Sequence, residues 1–259
     1  MHTESIAYSA VNPGAGGAVA TGVGGDSLVV KNNRGVSGPR ILDFYGQQAT
    51  AGFQQITFPS GHDTTRGYRV GQIPDDTYSH IPPGMSIPIT AQETITMTIA
   101  GGAAETDVGS LLINYPDLPG IDQRVLTWAQ LQSRYEEMTT VFSAVTSGAG
   151  TWGATTLINA VTDLLKANRD YAVLGITCTV DQLCIAITGP DTGNVRIGCP
   201  GSNQNTDAAA GYFGWMSRAN DMALIPVINS GNKSSTSLQS VAATSVATNA
   251  TIYLALLKK

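Results

Sequence analysis

The stretch ITGPDTGNVRIG, residues 187–198, decides the fold because the chain contains a second version of it. Residues 56–71 read ITFPSGHDTTRGYRVG. Both stretches begin with Ile-Thr-x-Pro, pass through a polar turn that contains glycine, and close on Arg, then Val or Ile, then Gly. The two versions lie about half a chain apart, which is far longer than the roughly 20–50-residue unit of a solenoid. This spacing predicts two whole domains.

Three further landmarks repeat in the same order. ILDFYG at residues 41–46 is similar in pattern to DYAVLG at residues 170–175. Ile81-Pro82 matches Ile225-Pro226. The apolar stretch VGSLLINY at residues 108–115 matches NATIYLALL at residues 249–257. Landmarks that keep one order in both halves predict a tandem duplication.

Most segments of both halves are typical of β-strands. In ETITMTIA, residues 93–100, Ile95, Met97 and Ile99 alternate with threonines, which predicts a strand with one buried face. Short strands bounded by Gly, Pro, Asn and Asp recur through the chain, as they do in sandwiches and jelly rolls. We therefore predict a mainly β fold: two tandem jelly-roll-like β-barrels or sandwiches with a few short helices.

Three helices are expected between these strands. Thr127 and Gln130 form a capping box, followed by a helical stripe of Trp128, Leu131, Tyr135 and Met138. A second helix is predicted in TTLINAVTDLLKAN, residues 155–168, with its apolar face at residues 157, 158, 161, 164 and 165. A third is predicted from Asp207 to Asn220, with Tyr212, Trp215 and Met216 on its apolar side.

These elements divide the chain into four parts. Residues 1–25 are predicted to be a flexible Gly/Ala-rich N-terminal arm, and residues 26–118 a first jelly-roll domain. Residues 119–146 are predicted to be a helical connector, and residues 147–259 a second jelly-roll domain with inserted helices.

Composition narrows the classes of function. The chain is 42% hydrophobic but only 13% charged, against about 25% in an average globular protein. Low charge fits either a turn-rich β protein or a surface covered by other subunits, since interface centres are poor in charge. The net charge is −5, and the basic residues are scattered apart from Lys258-Lys259, so the chain lacks the basic stripe that non-specific binding of nucleic acid needs, and we expect no sequence-specific binding of nucleic acid.

The sequence also bears on location. No window approaches the roughly 18 apolar residues of a membrane-spanning helix, and the N-terminus lacks the pattern of a secretory signal. Cys178, Cys184 and Cys199 contain no CxxC motif. We expect buried free thiols, although a disulfide between Cys178 and Cys184 is open, and free thiols fit assembly in a reducing cytoplasm.

The histidines do not form a recognisable site. The chain has three, His2, His62 and His80, and His62-Asp63 sits in the longer turn of the first repeat. No ligand spacing typical of metal sites is visible. There is no GxSxG motif, and the glycine run near the N-terminus lacks GK[ST].

The carboxylates and aromatic residues have plain structural explanations. Turn or surface roles are favoured over glycosidase or calcium chemistry for the acidic residues, and core or interface roles over sugar stacking for the aromatic ones. We therefore expect no catalytic, cofactor-binding or metal-binding residues, no cofactor and no enzyme activity. The residues considered are Asp75, Asp76, Asp117, Asp122, Glu136, Glu137 and Asp191, and Tyr68, Tyr78, Tyr212, Trp152 and Trp215.

The paired Ile-Thr-x-Pro stretches and the paired end strands, with a helix before LIPVIN, give the chain an architecture that resembles a known family. It is similar to the double-jelly-roll major capsid proteins of tailless icosahedral viruses. The likeness covers residues 25–259 and is one of architecture, without a signature motif. It implies homotrimers of pseudo-hexagonal outline in a capsid lattice.

The resemblance leads to an expected function: a self-assembling major capsid subunit of the virion, assembled in the host cytoplasm. Its expected partners are further copies of itself and other virion proteins, such as penton or minor capsid proteins. Contact of the Lys258-Lys259 tail with an internal membrane stays open. One alternative is a virion decoration, spike or glycan-binding tandem β-sandwich protein. Another is a secreted carbohydrate-active or adhesive β-sandwich enzyme.

Overall fold

The first half of the chain folds into two β-sheets that face each other. The computed structural model describes residues 2–33, 37–72, 81–82, 84–158, 165–201 and 209–259. Sheet 1 has the strand order β3-β1-β9-β4-β7, and sheet 2 the order β2-β8-β5-β6. The strands are β1 His2–Val11, β2 Ala18–Val19, β3 Thr21–Gly22, β4 Arg40–Gln47, β5 Gly52–Thr57, β6 Tyr68–Gln72, β7 Ile87–Pro88, β8 Thr96–Ala100 and β9 Thr106–Tyr115.

The second half forms another pair of sheets. Sheet 3 has the order β10-β17-β14-β19-β11, and sheet 4 has the order β12-β18-β15-β16, with β13 also pairing β18. Helix α1 spans Trp128–Arg134, helix α2 spans Tyr212–Asn220, and short 3-10 helices span Pro190–Thr192 and Ser230–Ser235. The strands are β10 Val125–Leu126, β11 Tyr135–Thr146, β12 Gly148–Ala149, β13 Thr156–Leu157, β14 Asp170–Cys178, β15 Gln182–Thr188, β16 Ile197–Gly201, β17 Ile225–Asn229, β18 Ser237–Ala242 and β19 Ala247–Leu257.

Both halves have the strand order of a jelly roll. With β3, β10 and β13 set aside, each half has eight strands. The first, eighth, third and sixth form one sheet, and the second, seventh, fourth and fifth form the other. This confirms the predicted fold class of two tandem jelly rolls with a few short helices. We call them the first roll (β1–β9) and the second roll (β11–β19).

The repeated landmarks fall on equivalent strands, with one exception. The two Ile-Thr-x-Pro stretches both end the fourth strand and lead to the fifth, β5 to β6 and β15 to β16. Ile225-Pro226 lies in β17, whose equivalent is β7, Ile87–Pro88. The match of Ile225-Pro226 to Ile81-Pro82 was therefore wrong, because that pair precedes the equivalent strand.

The predicted N-terminal arm is wrong for residues 2–11, which form β1 near the centre of sheet 1. β1 pairs with β9 along its whole length, from His2 opposite Tyr115 to Val11 opposite Thr106. Ile6 and Tyr8 face sheet 2, while Ser5 and Ala7 face the second roll. A strand buried on both faces lacks the alternation of apolar and polar residues, so small residues such as Ser and Ala concealed it.

The predicted helical connector at residues 119–146 is also mostly strand. The Thr127–Gln130 capping box is confirmed, and α1 follows it, but the helix ends at Arg134. From Tyr135 to Thr146 the chain forms β11, which pairs with β19. Met138 is 52% exposed rather than part of a buried helical stripe. Its β-branched neighbours and the partner strand override the helical periodicity.

The other two predicted helices are corrected in part. Thr156–Leu157 forms β13, so the second helix does not begin there, and residues 159–164 lie outside the described part of the chain. Asp207 also lies outside it. Helix α2 does bury Tyr212 and Met216, but its third large buried residue is Phe213, and Trp215 is 39% exposed.

Three apolar layers hold the four sheets in the stacking order 2-1-4-3. One lies between sheets 1 and 2 and includes Ile95, Met97 and Ile99, which confirms the predicted alternation. Another fills the second roll between sheets 3 and 4. The third joins sheet 1 to sheet 4. All three cysteines are free and buried, as the sequence predicted.

Candidate interaction faces and the seam between the rolls

The seam between the two rolls is an apolar contact between two sheet faces. Sheet 1 contributes Ala7, Tyr45 and Val108, each with no exposed surface. Tyr45 donates its hydroxyl to Cys184 Sγ of sheet 4 at 3.3 Å. The two rolls therefore share a core. Sheet 4 contributes Leu183, Cys184, Ala186 and Val241.

A partly buried carboxylate, Asp26, links the two rolls at one side of this seam. Its oxygens accept hydrogen bonds from the Ala7 backbone N–H at 2.7 Å, from Trp152 Nε1 at 2.8 Å and from Arg196 Nη1 at 2.8 Å. Burial raises the pKa of Asp26, while these donors act in the opposite direction. The Arg196 guanidinium also lies 4.8 Å from the centre of a Trp152 ring, within cation–π range. Asp26 thus ties a loop of the first roll to two side chains of the second.

The strands β1 and β16 also touch directly across the seam. Ser5 donates its backbone N–H to the Arg196 carbonyl at 2.8 Å, and Gly198 donates its backbone N–H to Ser5 Oγ at 2.8 Å. A Cβ on Gly198 would lie 2.4 Å from Cys184 Sγ. Glycine is required here because a side chain would collide with Cys184 Sγ on the neighbouring strand β15 and would crowd Ser5 Oγ across the seam.

A polar cavity of about 310 Å³ opens beside these contacts. Its charged wall residues are Glu4, Asp26, Lys31 and Arg196. They pair with one another, Lys31 with Glu4 and Arg196 with Asp26. Burial of Glu4 opposes its ionisation, but hydrogen bonds from His2 and Lys31 outweigh it and lower the pKa of Glu4. The Arg196–Asp26 pair therefore crosses the seam, while the Lys31–Glu4 pair lies within the first roll.

Register aligns the sheets of the two rolls residue by residue. Sheet 1 has a bulge at Leu42 between β4 and β9, and sheet 3 has one at Leu174 between β14 and β19. When the two bulges are superposed, the pairing register of β1, β9 and β4 in sheet 1 matches that of β11, β19 and β14 in sheet 3. The inward row Ile6, Leu111 and Phe44 then corresponds to Val141, Ile252 and Ile176, and the outward row Ala7, Ser110 and Tyr45 to Phe142, Thr251 and Thr177.

The outward row of sheet 3 is therefore the counterpart of the seam, but nothing within the described chain covers its β11 side. Phe142 stands where Ala7 stands and is 61% exposed. Met138 lies on the same face, opposite Ala255 of β19. A large exposed apolar residue at the centre of a sheet face marks a candidate contact surface. The sequence does not reveal Phe142 as a surface residue of a sheet, because its pattern predicts a helical connector over residues 119–146.

The outer face of sheet 2 is the counterpart of the outer face of sheet 4, which contacts sheet 1 in the seam. Aligning Ile56 with Ile187 places Phe53 at the position of Cys184 and Arg69 at the position of Gly198. The Arg69 guanidinium lies 3.3 Å from the centre of the Phe53 ring. Val19, at the edge of this face, is 66% exposed. The outer face of sheet 2 is thus exposed, whereas on sheet 3 only the β11 side is, because Thr177 is 7% exposed and a Cβ on Gly175 would lie 1.9 Å from the Ala209 carbonyl oxygen.

A buried carboxyl group lies at one end of the first roll. Asp107 of β9 has no exposed surface, and no described residue hydrogen-bonds its carboxylate oxygens. The neighbouring Glu105 accepts a hydrogen bond from Thr50 Oγ1 at 2.9 Å and another from the Gly102 N–H. Burial first, and then the Glu105 carboxylate, raise the pKa of Asp107 to about 7. Asp107 is thus an acid that titrates near neutrality.

The histidines considered from the sequence lie apart. His2 is fully buried in β1, and its Nε2 lies 3.2 Å from Glu4 Oε2. His62 lies in the β5–β6 loop, where Asp63 accepts hydrogen bonds from the Thr65 and Arg66 N–H groups. Those bonds lower the pKa of Asp63 and identify it as a turn-forming residue. His80 lies outside the described residues, as do Asp75, Asp76 and Tyr78.

Two of the acidic candidates form ion pairs at the surface. Glu136 and Glu137 lie on β11 rather than on a helix. Glu136 Oε2 lies 2.5 Å from Arg169 Nη2, and Glu137 Oε2 lies 2.8 Å from Lys166 Nζ. Glu137 is more than a third exposed and Glu136 is close to a third exposed, so these ion pairs contribute little to stability.

Asp191 has a larger structural role than a turn residue. It is buried, and its carboxylate accepts hydrogen bonds from Arg124 Nη1 at 3.1 Å, from the Asn229 N–H at 2.9 Å and from Asn232 Nδ2 at 2.9 Å. It therefore joins the β15–β16 turn to β17 and to the segment before α1. Asp117 is a surface residue whose N–H donates to Asn33 Oδ1.

The aromatic candidates do not form one platform. Tyr212 is buried and donates its hydroxyl to Asp43 Oδ2 at 2.9 Å, and Trp152 belongs to the seam. Trp215 borders a hollow of about 280 Å³ together with Trp128 and Arg218. A Cβ on Gly214 would lie 2.9 Å from the Trp128 ring, so this glycine lets α1 and α2 pack closely. Tyr68 lies in β6 of the first roll, away from the other aromatic candidates, and packs edge-on against Phe44.

The described residues include neither a metal-binding cluster of His, Cys, Asp and Glu side chains nor a helix that could span a membrane. They contain no group of three or more His, Cys, Asp or Glu side chains placed to hold a metal ion. Within the same residues, none of the helices has the length and apolar character needed to span a bilayer.

Comparison with known proteins gives little. No family model matches the sequence, and no curated protein matches it. Among solved structures, the crystal structure of PBSX exported protein XepA is similar with a TM-score of 0.30 and 9% identity, over 97% of this chain and 86% of that one. A similarity at that TM-score does not establish a shared fold.

Proposed function

We propose that this protein is a virion structural protein, a self-assembling capsid subunit that forms homotrimers of pseudo-hexagonal outline in an icosahedral shell. The observation that carries the proposal is the pair of jelly rolls with identical strand order, joined face to face in one chain. Three such chains hold six similar rolls, which can surround a point as a hexagonal tile. A hexagonal outline allows such trimers to pack side by side in a capsid lattice.

The surface supports self-association. Only 13% of the residues are charged, and the open faces of sheets 2 and 3 carry exposed apolar side chains, Val19 and Phe142. Interface centres are depleted of charge and enriched in aromatic residues. The proposed partners are other copies of the chain and other virion proteins, such as penton or minor capsid proteins, with assembly in the host cytoplasm and residence in the virion.

The test is the assembly state of the purified chain. Analytical ultracentrifugation over a range of protein and salt concentrations, with negative-stain microscopy, is expected to reveal trimers of hexagonal outline or closed shells. A protein that stays monomeric under every condition would refute the proposal.

A second candidate function is a virion decoration or spike protein that binds glycans. The hollow between Trp128 and Trp215 favours it, because a half-exposed tryptophan beside a cationic residue, Arg218, suits stacking on a sugar ring and hydrogen bonding to its hydroxyls. A glycan array that shows binding lost in Trp215→Ala, together with low copy number in particles, would favour this function over the shell.

A further inference from the structure

We propose that Glu105, Asp107 and Gln48 form a binding site for a divalent cation, calcium, at one end of the first roll. The ligands would be the oxygen atoms of two carboxylates and one amide. The sequence conceals this site, because Gln48 lies far along the chain from the acidic pair and the three residues have no spacing typical of a metal site. The site lies within a single roll, so it does not depend on the proposed assembly.

The two carboxylates converge on the backbone of Gly101, in the turn that follows β8. A Cβ on Gly101 would lie 2.1 Å from Asp107 Oδ2 and 2.6 Å from Glu105 Oε1. A side chain at this position would therefore collide with an oxygen of each carboxylate. Glycine leaves room for both, and it brings the two acidic groups together at one point of the turn.

A buried amide reaches the same turn from the neighbouring strand. β4 pairs with β9 up to Gln47 opposite Val108, so Gln48 and Asp107 take the next positions, side by side on the inward face of sheet 1. Gln48 has no exposed surface, and its Nε2 donates to the Ala100 carbonyl at 3.1 Å. Its Oε1 is buried and accepts no hydrogen bond from the described residues. This oxygen is the third ligand.

The negative charge at this turn lacks a positive partner among the described contacts. Both carboxylate oxygens of Asp107 are buried without a donor from the described residues. The described donors to Glu105 are neutral, Thr50 Oγ1 at 2.9 Å and the Gly102 N–H. Burial first, and then Glu105, raise the pKa of Asp107 to about 7. A proton neutralises only one of the two charges, whereas a divalent cation neutralises both.

The donor set suits calcium among the divalent cations. Carboxylate and amide oxygens are hard ligands of the kind that calcium and magnesium prefer. Calcium tolerates irregular geometry and completes its roughly six to eight oxygen ligands with water, whereas magnesium demands a near-ideal octahedron. Glu105 is half-buried, so water reaches the site from its side. With only two carboxylates, we expect a dissociation constant of about 10⁻⁴–10⁻³ M at pH 8.

The experiment is isothermal titration calorimetry of calcium chloride into the full chain, treated with EDTA and dialysed, at pH 8. One calcium ion per chain is expected to bind, and magnesium chloride should bind at least about tenfold more weakly. Thermal unfolding followed by circular dichroism is the second measurement. The midpoint in about 10 mM calcium should lie about 3–10 °C above the midpoint in EDTA, because the folded chain alone presents the site.

Two substitutions each remove one carboxylate from the site. Asp107→Asn and Glu105→Gln should each weaken calcium binding at least about tenfold. Asp107→Asn should still fold, because asparagine has the same shape and ends the repulsion between the two buried charges. The matched control is Asp117→Asn, which makes the same change of net charge at an exposed residue outside the site, and its calcium binding should equal that of the wild type.

The proton and calcium compete for Asp107, which gives a readout that a general effect of salt would not produce. Because its pKa is about 7, calcium binding should be about a hundredfold weaker at pH 5 than at pH 8. A binding strength that does not change between these pH values would contradict the site.

Three other results would overturn the inference: no calcium binding at pH 8, binding that persists unchanged in Asp107→Asn, or equal loss in Asp117→Asn. Magnesium that binds as tightly as calcium would overturn the choice of ion. None of these results changes the assembly state of the purified chain, so the site can fail while the proposed function stands.

Discussion

Replacing Asp107 by asparagine should make the protein less sensitive to pH between 5 and 8. Asp107 is buried at the end of β9 beside Glu105, and no described residue donates to its carboxylate. Burial and Glu105 together raise its pKa to about 7. Asparagine has the same shape and no charge, and its amide can donate to Glu105, so Asp107→Asn removes the titration without leaving a cavity.

The sign follows from the two states of the chain. An unfolded Asp has a pKa of about 3.9, so between that value and about 7 the unfolded chain releases the proton while the folded chain keeps it. Folding stability therefore falls as the pH rises through this window. The penalty amounts to about 1.5 kcal/mol at pH 5 and about 4 kcal/mol at pH 8. Relative to the wild type, Asp107→Asn should thus gain about 2.5 kcal/mol between pH 5 and pH 8.

Urea unfolding followed by circular dichroism at pH 5, 6, 7 and 8 measures this difference at matched protein concentration. Taking the variant minus the wild type cancels the titrating groups that do not interact with Asp107. Glu105→Gln is the control: it removes the neighbouring charge but leaves Asp107 buried, so its pH-dependent gain should be smaller. A constant difference between Asp107→Asn and wild type across all four pH values would refute the reasoning.

Three further predictions concern the seam and the cores. Ala7→Phe puts the side chain of the open face into the closed one and should destabilise the chain by about 1–3 kcal/mol in urea unfolding, whereas a seam with room to spare would show no change. Tyr212→Phe removes a hydrogen bond to buried Asp43 and should cost about 1–3 kcal/mol, read as a lower thermal midpoint; an unchanged midpoint would mean the bond is not formed. The native thiols should not react with Ellman's reagent until urea is added, and rapid labelling of the folded protein would contradict their burial: Cys178, Cys184 and Cys199.

Many strands of each roll could be anticipated because their signals are local. The alternation in ETITMTIA, the paired Ile-Thr-x-Pro turns and the apolar end strands each depend on a few neighbouring residues, and all of them fall on the expected kind of element. The capping box at Thr127 is equally local. The paired turns and the paired end strands then doubled the evidence, since each has one version in either half.

The elements that the sequence concealed are those whose partners lie far along the chain. The sequence of β1 lacks a clear alternation of apolar and polar residues, because one of its faces is buried against sheet 2 and the other against the second roll. β11 carries a helical stripe at its start, and only its pairing with β19 makes it a strand. The seam was hidden for the same reason, since Asp26 and Arg196 look like isolated charges until the fold joins them.

The two equivalent faces differ in a way that suits their different tasks. The seam forms between parts of one chain, where the partner face is always near and small side chains such as Ser5 and Ala7 suffice. A contact between separate chains must also offset the loss of free translation and rotation, so it needs larger buried anchors. In the proposed assembly, Phe142 at the position of Ala7 would serve as such an anchor, because it is 61% exposed in the single chain.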